Sequence, residues 1–323
     1  MLLKDYFPNL HKKYHEVSFK GIAFNSKEVR EGYIFFAFKG NKTDGNFFIK
    51  NAIKNGSKII ITDKFKINGW KNNILFLNDN NPRNLLAKFS SKIFNKKPDN
   101  LIGVTGTNGK SSIANFYFQI LTLNRVKGAS IGTLGVTGFK VKKSFSNTTF
   151  DTIQINKTLK KLKERKIENV ILEASSHGLN QNRLDGLEFD IGIFTNFTRD
   201  HLDYHKTYKN YLNSKLILFK KLLKKKSYAI YDNELDISSN LNKITKLNKI
   251  KKLTLGNTKS SFSIIDHQFL KDEQKITFRF DKKNYSFSTK LIGRVQIKNL
   301  LMAIMAAMKS KIPLEKILKV TRN

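Results

Sequence analysis

The stretch that decides the fold is LIGVTGTNGKSS, from Leu101 to Ser112. Its first half is an apolar run typical of a buried strand, and the segment that begins at Ser111, SSIANFYFQILTLN, has the apolar spacing of a helix. The turn between them contains two glycines followed by a lysine and two serines. Backbone N–H groups in such a turn, together with the start of a helix, form a pocket for anionic oxygens. The stretch therefore predicts a phosphate-binding strand–turn–helix unit.

The residue types in this turn indicate a nucleotide. Lys110 would neutralise the charge of β- and γ-phosphates, and the hydroxyl of Ser111 would hold Mg²⁺. The strict Walker spacing is not met, because Gly103 lies one position too far upstream and Val104 occupies the expected glycine site. A glycine turn that served only the geometry of the chain would not need lysine and serine together. The context therefore favours nucleotide binding.

The rest of the chain predicts an α/β protein with two domains. After the glycine turn, short apolar runs alternate with helical segments, which predicts a mainly parallel sheet with helices on both faces. A β-rich section and a strong helix follow, and the first part of the chain mixes short strands with two helices. Pro98 and its polar neighbours mark the linker. We expect an N-terminal domain at 1–98 and a central ATP-binding domain at 99–323. The predicted strands lie at 33–40, 58–63, 73–79, 168–175, 190–196 and 227–232, the hairpin turn at 281–284, and the helices at 47–56, 82–95 and 296–310.

Composition narrows the classes of function. The 323 residues include 60 Lys and Arg against 25 Asp and Glu, a formal charge of +35, and no Cys. The absence of Cys excludes disulfides, zinc–thiolate sites and cysteine nucleophiles. The N-terminus lacks an apolar signal core, and no run is long enough to span a bilayer. We expect a soluble, cytoplasmic protein without membrane insertion.

The excess of positive charge has two interpretations. A field of this size attracts phosphate backbones, which indicates a nucleic-acid binder. Alternatively, lysine covers solvated surfaces, since the runs at 157–166 and 220–226 carry leucine at the spacing of amphipathic helices. Aromatic residues are not interleaved with these runs in an RNA-binding pattern. We therefore expect no nucleic-acid partner.

Polar residues follow two further predicted strands. Glu173 ends one strand and is followed by a Ser-Ser-His-Gly turn, and His201 lies in FTNFTRDHLDYH (194–205), just beyond another. Ligands of open α/β sheets collect at the carboxyl ends of strands. Ser111, Glu173 and His201 would converge there, with oxygen and imidazole ligands for a divalent ion.

These segments together resemble the Mur ligase family, the ATP-dependent amide-bond formers of peptidoglycan synthesis, and within it the UDP-N-acetylmuramoyl-tripeptide synthetase (MurE) type. The N-terminal run NSKEVREGYIFFAFKGNKTDGNFFIKNAIKNGSKIIITD is similar to the substrate-binding segment of that family. The resemblance covers nearly the whole chain and is strongest between Leu101 and Phe219. Its motifs in the central part are GVTGTNGKSS, NTT (147–149), EASSHGLNQNRLDG, FTNFTRDHLDYH and NSKLILF (213–219).

The resemblance implies an acyl-phosphate mechanism at a site with two Mg²⁺ ions. Lys110, Glu173, His201 and Lys215 are the implied catalytic residues. Ser111 and Glu173 would hold one Mg²⁺, and His201 the second, together with Lys215 if that lysine carries a carbamate (N6-carboxylysine). Unmodified, Lys215 would repel the metal, so an ordinary surface lysine remains the alternative. The implied ATP-binding residues are Gly106, Thr107, Asn108, Gly109, Lys110, Ser111, Ser112 and Asn299.

The resemblance also implies the small-molecule partners, a UDP-MurNAc-dipeptide and an amino acid, and a monomeric enzyme. Arg183 would suit a carboxylate or phosphate of the UDP-sugar. The implied UDP-substrate residues are Phe24, Ser26, Asn41, Lys42, Thr43, Asn147, Thr148, Thr149, Ser175, Gln181 and Arg183.

The chain departs from the family pattern at several positions. Lys27 stands where relatives show Arg and loses the bidentate fork. Gln296 replaces an Asn, which leaves Asn299 for the adenine side. Relatives carry a third, Rossmann-like domain for the incoming amino acid, and the sequence stops where that domain would begin, so we expect a truncated form. The DNNPR segment at 79–83 lies outside that domain, and we interpret it as turn chemistry.

Other functions stay open at this point. The ATP core is shared with other Mur-type ligases and with folylpolyglutamate synthetase-like relatives, which differ in the substrate they accept. A non-catalytic nucleotide-binding fragment would bind ATP without cleaving it.

Overall fold

The structure, a computed structural model, describes residues 1–7, 9–40, 43–64, 68–138, 148–256 and 259–321. The chain divides into two compact units, Met1–Asn95 and Lys96–Asn323. No helix within the described ranges is long and apolar enough to cross a membrane. The expectations for Asn41, Lys42 and Asn147 fall outside the described residues.

The first unit is built on a five-stranded sheet. The strand order is β1-β2-β3-β5-β4, and only β4 runs antiparallel to its neighbour. Inward residues such as Phe35 and Ile60 form its core because successive strand residues alternate between the two faces. The three predicted strands are confirmed as β2, β3 and β5. The elements are β1 Gly21–Ala23, β2 Tyr33–Ala37, α1 Ile49–Lys54, β3 Ile59–Thr62, β4 Gly69–Lys71, β5 Ile74–Asn78 and α2 Pro82–Ile93.

The predicted helix at 47–56 begins later than expected. A 3₁₀ turn, Gly45–Phe48, precedes α1 and is capped by Asp44, whose side chain accepts the backbone N–H of Asn46. The second helix starts as the DNNPR segment predicts, with Asn81 accepting the N–H of Asn84 at 3.0 Å and Pro82 in the first helical turn. The interpretation of this segment as turn chemistry is therefore confirmed.

The second unit contains a ten-stranded sheet in the order β15-β14-β13-β12-β11-β10-β6-β9-β7-β8. The pairs from β13 through β7 are parallel, and the pairs at both edges are antiparallel. This confirms the predicted mainly parallel sheet. Its strands are β6 Asn100–Thr105, β7 Gly128–Gly132, β8 Gly135–Thr137, β9 Asn169–Glu173, β10 Phe189–Phe194, β11 Leu223–Asp232, β12 Lys251–Gly256, β13 Phe262–Phe269, β14 Gln274–Phe280 and β15 Lys283–Thr289.

Helices cover both faces of this sheet, as predicted. On one face, Ile102 and Val104 of β6 share a core cluster with α3 and α9; on the other, Leu101 packs with residues of α4 and α8. Successive side chains of β6 point to opposite faces of the sheet, and this determines which helices pack on each side of the strand that leads into the glycine turn. The helices are α3 Lys110–Leu123, α4 Thr152–Glu164, α5 Ser176–Asn180, α6 Leu202–His205, α7 Tyr208–Ile217, α8 Ser238–Leu247, α9 Arg294–Met308 and α10 Leu314–Val320.

The lysine run at 220–226 is helical only in its first three residues, so the expectation of a helix surface along the whole run is wrong. A π-helical turn, Leu218–Leu222, ends the preceding helical segment, and β11 starts at Leu223, which pairs with Phe189 of β10. Pairing with the central sheet overrides the helical spacing of two leucines, because spacing alone does not distinguish a short apolar run in a strand from one in a helix. The run at 157–166 does lie largely on a helix, α4.

Candidate active site

The turn between β6 and α3 accepts only glycine at two positions. Gly106 has φ of 145°, and a Cβ there would lie 1.8 Å from Oγ1 of Thr195. Gly109 has φ of 85°, and its Cβ would lie 2.7 Å from Oδ1 of Asn299. The glycines thus allow the end of β10 and the side of α9 to approach the turn closely.

Residues after β10 hold the turn in shape. The hydroxyl of Thr195 donates to the carbonyl of Asn108 at 2.5 Å, and the side-chain oxygen of Asn196 accepts the N–H of Asn108 at 2.9 Å. The backbone of Thr107 donates to the carbonyl of Asn196 at 3.0 Å. The first N–H groups of α3 have no partner within the helix and carry the positive end of its dipole. The turn is therefore a preformed cradle for an anion.

Two lysines converge on one carbonyl of this turn. Nζ of Lys110 donates to the carbonyl oxygens of Gly106 at 3.0 Å and Thr107 at 2.8 Å. Nζ of Lys215 donates to the same Gly106 oxygen at 2.6 Å, and its side chain, 1% exposed, lies 4.3 Å from the ring centre of Tyr211. Two amines at one carbonyl, one of them buried, leave the site rich in N–H donors, which suits an anionic ligand.

Burial lowers the pKa of both lysines. For Lys110, desolvation is the main cause, and the nearby carboxylates of Glu173 and Asp200 oppose it. For Lys215, desolvation and the charge of Lys110 lower the pKa to about 6. The amine of Lys215 is therefore largely uncharged at neutral pH.

The predicted pair Ser111 and Glu173 is brought together. The Ser111 hydroxyl donates to Oε2 of Glu173 at 2.9 Å, and the carboxylate also accepts the N–H and the hydroxyl of Thr133 at 3.1 and 3.2 Å. A Cβ at Gly132 would lie 2.0 Å from Oε1 of Glu173, so glycine is required for this close packing. A hydroxyl and a fixed carboxylate are hard oxygen donors, and they fit Mg²⁺ beside the phosphate cradle.

The predicted second set of metal ligands is not assembled in the same way. His201 has φ of 50°, and its Nε2 lies 3.5 Å from Oδ2 of Asp200. Its ring is 5.0 Å from that of His177, whereas Lys215 turns to the carbonyl of Gly106. In the described part of the chain, no group of three or more His, Cys, Asp or Glu side chains is placed to hold a metal. The roles of His201 and Lys215 as metal ligands stay predictions.

His205 lies behind Lys215 and is 5% exposed. Its Nδ1 is 3.2 Å from the hydroxyl of Ser214, which itself donates to the carbonyl of Asn210 at 2.8 Å, so Nδ1 must carry the hydrogen. Its Nε2 is buried without a hydrogen-bond partner in the described structure. Desolvation, helped by the positive charges of neighbouring His177 and Lys215, lowers the pKa of His205 to about 4. The imidazole of His205 is therefore neutral at neutral pH and adds no charge to the surroundings of Lys215.

Most of the predicted central UDP-substrate residues form one network. The hydroxyl of Thr149 donates to Oγ of Ser175 at 2.9 Å, and its carbonyl accepts from Arg183 at 2.5 Å. The guanidinium also donates twice to Oε1 of Gln181, at 3.1 and 2.8 Å. The hydroxyl oxygen of Thr148 lies 3.1 Å from that of Thr133, which in turn contacts the carboxylate of Glu173. The network links the substrate residues to the Glu173 carboxylate.

Three of the predicted UDP-substrate residues, Phe24, Ser26 and Thr43, lie in the N-terminal unit. Phe24 stacks on Phe38, with ring centres 6.1 Å apart and an interplanar angle of 17°. Ser26 is buried, and its carbonyl accepts from the amide of Asn55 at 2.9 Å. The carbonyl of Thr43 accepts the N–H of Gly40 at 2.8 Å, which closes the loop after β2.

Sequence reasoning missed residues that shape the site. Thr133 was given no role, although it orients the Glu173 carboxylate. The Tyr211 hydroxyl donates to Oγ1 of Thr107 at 3.2 Å, and its ring forms one wall around Lys215. Neither residue belongs to a phosphate-binding or metal-binding spacing pattern. Asn299 was predicted for the ATP site, and the structure places its amide against Gly109.

Comparison with known proteins is consistent with this geometry. Residues 104–307 match the family description "Mur ligase middle domain", and residues 18–91 match "Mur ligase family, catalytic domain". The chain belongs to the Mur ligase family.

Its relatives point to one member of that family. Over 302 residues, the chain is 38% identical to the UDP-N-acetylmuramoyl-L-alanyl-D-glutamate–2,6-diaminopimelate ligase of Rickettsia conorii, covering 92% of this chain and 62% of the relative. The enzyme of the same name from Chelativorans sp. is 33% identical over 301 residues, with 93% and 62% covered. A solved structure of a ligase with this name has a TM-score of 0.85 and 25% identity, covering 99% of this chain and 66% of that one. The chain thus spans about 62% of the length of the curated relatives.

Proposed function

We propose that the chain acts in ATP-dependent amide-bond formation for peptidoglycan precursors. The reaction would add the third amino acid, diaminopimelate or lysine, to UDP-MurNAc-L-Ala-D-Glu. ATP would phosphorylate the substrate carboxylate, and the amine of the amino acid would displace phosphate from the acyl phosphate. The names of the curated relatives and membership of the Mur ligase family support this proposal. We also propose that the chain works as a cytoplasmic monomer.

The observation that carries the proposal is that a glycine cradle, the half-buried Lys110, the buried Lys215 and the Ser111–Glu173 pair lie together. Phosphoryl transfer depends mostly on positioning and on neutralising charge. The ammonium of Lys110 lies on the carbonyl of Gly106 at the floor of the cradle, from which it would reach the transferring phosphoryl group. The first turn of α3 and Asn299 would hold the remaining phosphate oxygens and the adenosine side.

The metal ligands would be Ser111 and Glu173 for one Mg²⁺, and His201 with a carboxylated Lys215 for the second. Bound Mg²⁺ would offset the negative charge of the phosphates. The buried, largely uncharged amine of Lys215 supports its carboxylation, because a neutral amine attacks CO₂ and releases a proton to form an anionic carbamate. The modified side chain would supply the oxygen ligand that an ammonium group cannot.

The dipeptide end of the UDP-sugar would bind the network of Thr149, Ser175, Gln181 and Arg183. Arg183 already binds the carbonyl of Thr149 and the amide of Gln181, which fixes its planar fork. A fixed guanidinium recognises a carboxylate at little entropic cost. The UDP end would bind Phe24, Ser26 and Thr43 of the N-terminal unit, with Asn41 and Lys42 proposed from the family pattern.

The test measures ATP binding and substrate-dependent ADP formation. Wild type should bind Mg·ATP and form ADP only when UDP-MurNAc-L-Ala-D-Glu is present. Lys110→Ala should reduce turnover by at least about 100-fold, the size of effect expected when a group that stabilises transition-state charge is removed. Lys243→Ala changes an exposed lysine on α8 and is the control. Wild-type ATP binding and turnover in Lys110→Ala would refute the assignment.

Two alternative functions predict different results in the same assay. ADP formation with UDP-MurNAc-L-Ala or a folate, but not with the dipeptide, would indicate another ligase of this fold. Tight ATP binding without cleavage under any of these conditions would indicate a nucleotide-binding module that is not catalytic.

A further inference from the structure

The segment after β5 contains an arginine that the start of the helix does not explain. Asn81 caps α2 and Pro82 fills its first position, so the helix begins without help from Arg83. A cation in the first turn of a helix is unfavourable, because it meets the positive end of the helix dipole. The role of Arg83 therefore lies in the contacts of its side chain rather than in the start of the helix.

That contact is the loop after β2. Nη2 of Arg83 donates to the carbonyl of Lys39 at 2.7 Å. The centre of its guanidinium lies 4.8 Å from the ring centre of Phe38, which is within the range of a cation–π interaction. Phe38 in turn stacks on Phe24. One side chain thus holds the backbone and the aromatic ring at the exit of β2.

The topology explains why these residues meet. Phe24 comes directly after β1, Phe38 directly after β2, and Arg83 five residues after the end of β5. Strands β1, β2, β3 and β5 are parallel, so their carboxyl ends lie at one edge of the sheet. Ligands of such sheets bind at that edge.

The described residues on either side of this loop pair with each other. The carbonyl of Phe38 accepts the N–H of Gly45 at 3.0 Å, and Lys39 forms a bridge with Asp44. The residues that enter the loop, which Arg83 contacts, are therefore paired with the residues that leave it. A change in the Arg83 contact would also affect Thr43, because the N–H of Gly40, the residue after Lys39, donates to the carbonyl of Thr43.

We propose that Arg83 is a positioning residue for the UDP end of the sugar substrate. It keeps the Phe24–Phe38 pair and the backbone of Lys39 in the geometry that receives a pyrimidine nucleoside diphosphate. The inference rests on the proposed function, which assigns Phe24 and Thr43 to that substrate. It adds a residue that acts through the loop rather than by touching the reacting atoms.

The test compares Arg83→Ala and Arg83→Lys with wild type in the full chain. Calorimetry measures the Kd of UDP-MurNAc-L-Ala-D-Glu and, separately, the Kd of Mg·ATP. Arg83→Ala should raise the Kd of the UDP-sugar about tenfold, the scale of one charge-assisted contact, and leave the Kd of Mg·ATP unchanged. Arg83→Lys should stay impaired, since a lysine keeps the charge without the planar fork. Lys88→Ala, at an exposed position of the same helix, is the control.

Each outcome separates the inference from the proposed function. A wild-type chain that binds Mg·ATP but not the UDP-sugar would overturn the proposed substrate. If wild type binds both ligands and the Arg83 variants bind the UDP-sugar equally well, the Arg83 inference alone fails. A loss of affinity for both ligands, with a lowered Tm, would show a structural role and would also overturn it.

Discussion

Lys215 provides a test of the site that needs neither nucleotide nor metal. The side chain is 1% exposed and donates one hydrogen bond, to the carbonyl of Gly106 at 2.6 Å. Replacing it by methionine keeps an unbranched chain of similar volume and removes the group that titrates. We expect Lys215→Met to change how the free energy of unfolding depends on pH.

The sign follows from where the proton binds. Burial lowers the pKa of Lys215 to about 6 in the folded chain, whereas an unfolded lysine has a pKa of about 10.4. Between these values the unfolded state holds one more proton, so stability rises with pH by about 1 kcal/mol per unit. The destabilising effect of Lys215 is complete below about pH 6 and disappears as pH approaches about 10.

The expected difference between the two proteins is therefore large near neutral pH. The variant should be more stable than wild type at pH 7. The lost hydrogen bond to Gly106 lowers this gain in stability by about 1 kcal/mol. Between pH 7 and 9 that advantage should shrink by roughly 2–3 kcal/mol, because only wild type gains stability from this site.

The assay is urea unfolding at several pH values between 7 and 9, with EDTA and with CO₂ excluded. Removing CO₂ keeps Lys215 unmodified, and working above pH 7 keeps His205 neutral in both states. Lys209→Met, at an exposed position on the same helix, is the matched control and should run parallel to wild type. Parallel curves for Lys215→Met and wild type would mean that the buried lysine keeps an ordinary pKa, and the electrostatic argument would be wrong.

Four substitutions, in three comparisons, test the scaffold of the protein by urea unfolding. Gly109→Ala should cost more than Gly135→Ala: both residues have positive φ, but only the first Cβ meets a side chain, that of Asn299 at 2.7 Å. Equal losses would contradict this close approach. Asn81→Ala should cost about 1 kcal/mol by removing the cap of α2, and an unchanged midpoint would refute that role. Tyr117→Phe should cost about 1 kcal/mol through the lost hydrogen bond to Ser310, and an unchanged midpoint would contradict that contribution.

Local signals in the sequence were enough for the centre of the fold. An apolar run, a glycine turn and a helical pattern place β6 and α3 correctly, since each element is encoded by contiguous residues. The same holds for α2, because Asn81 and Pro82 act within one turn of chain. The meeting of Ser111 and Glu173 also followed, since parallel strands end at one edge of a sheet.

Features that depend on distant pairing were not accessible in this way. The start of β11 at Leu223 is decided by its partner Phe189, and no nearby residue encodes that register. Thr133 reaches Glu173 only because β7 lies beside β9, although 40 residues separate the two in sequence. The roles of such residues depend on the assembled sheet.

The arrangement of the two lysines explains why the candidate site is linked so closely to the fold. Lys110 comes from the glycine turn and Lys215 from α7, yet both donate to the carbonyl of Gly106. Burial lowers the pKa of both amines, and the charge of Lys110 lowers that of Lys215 further, so the unliganded site disfavours the charged form of each lysine. An anionic ligand in the cradle would reverse that penalty by stabilising the charged form of each amine. The buried amines that lower the stability of the unliganded chain would therefore strengthen the binding of a phosphate group.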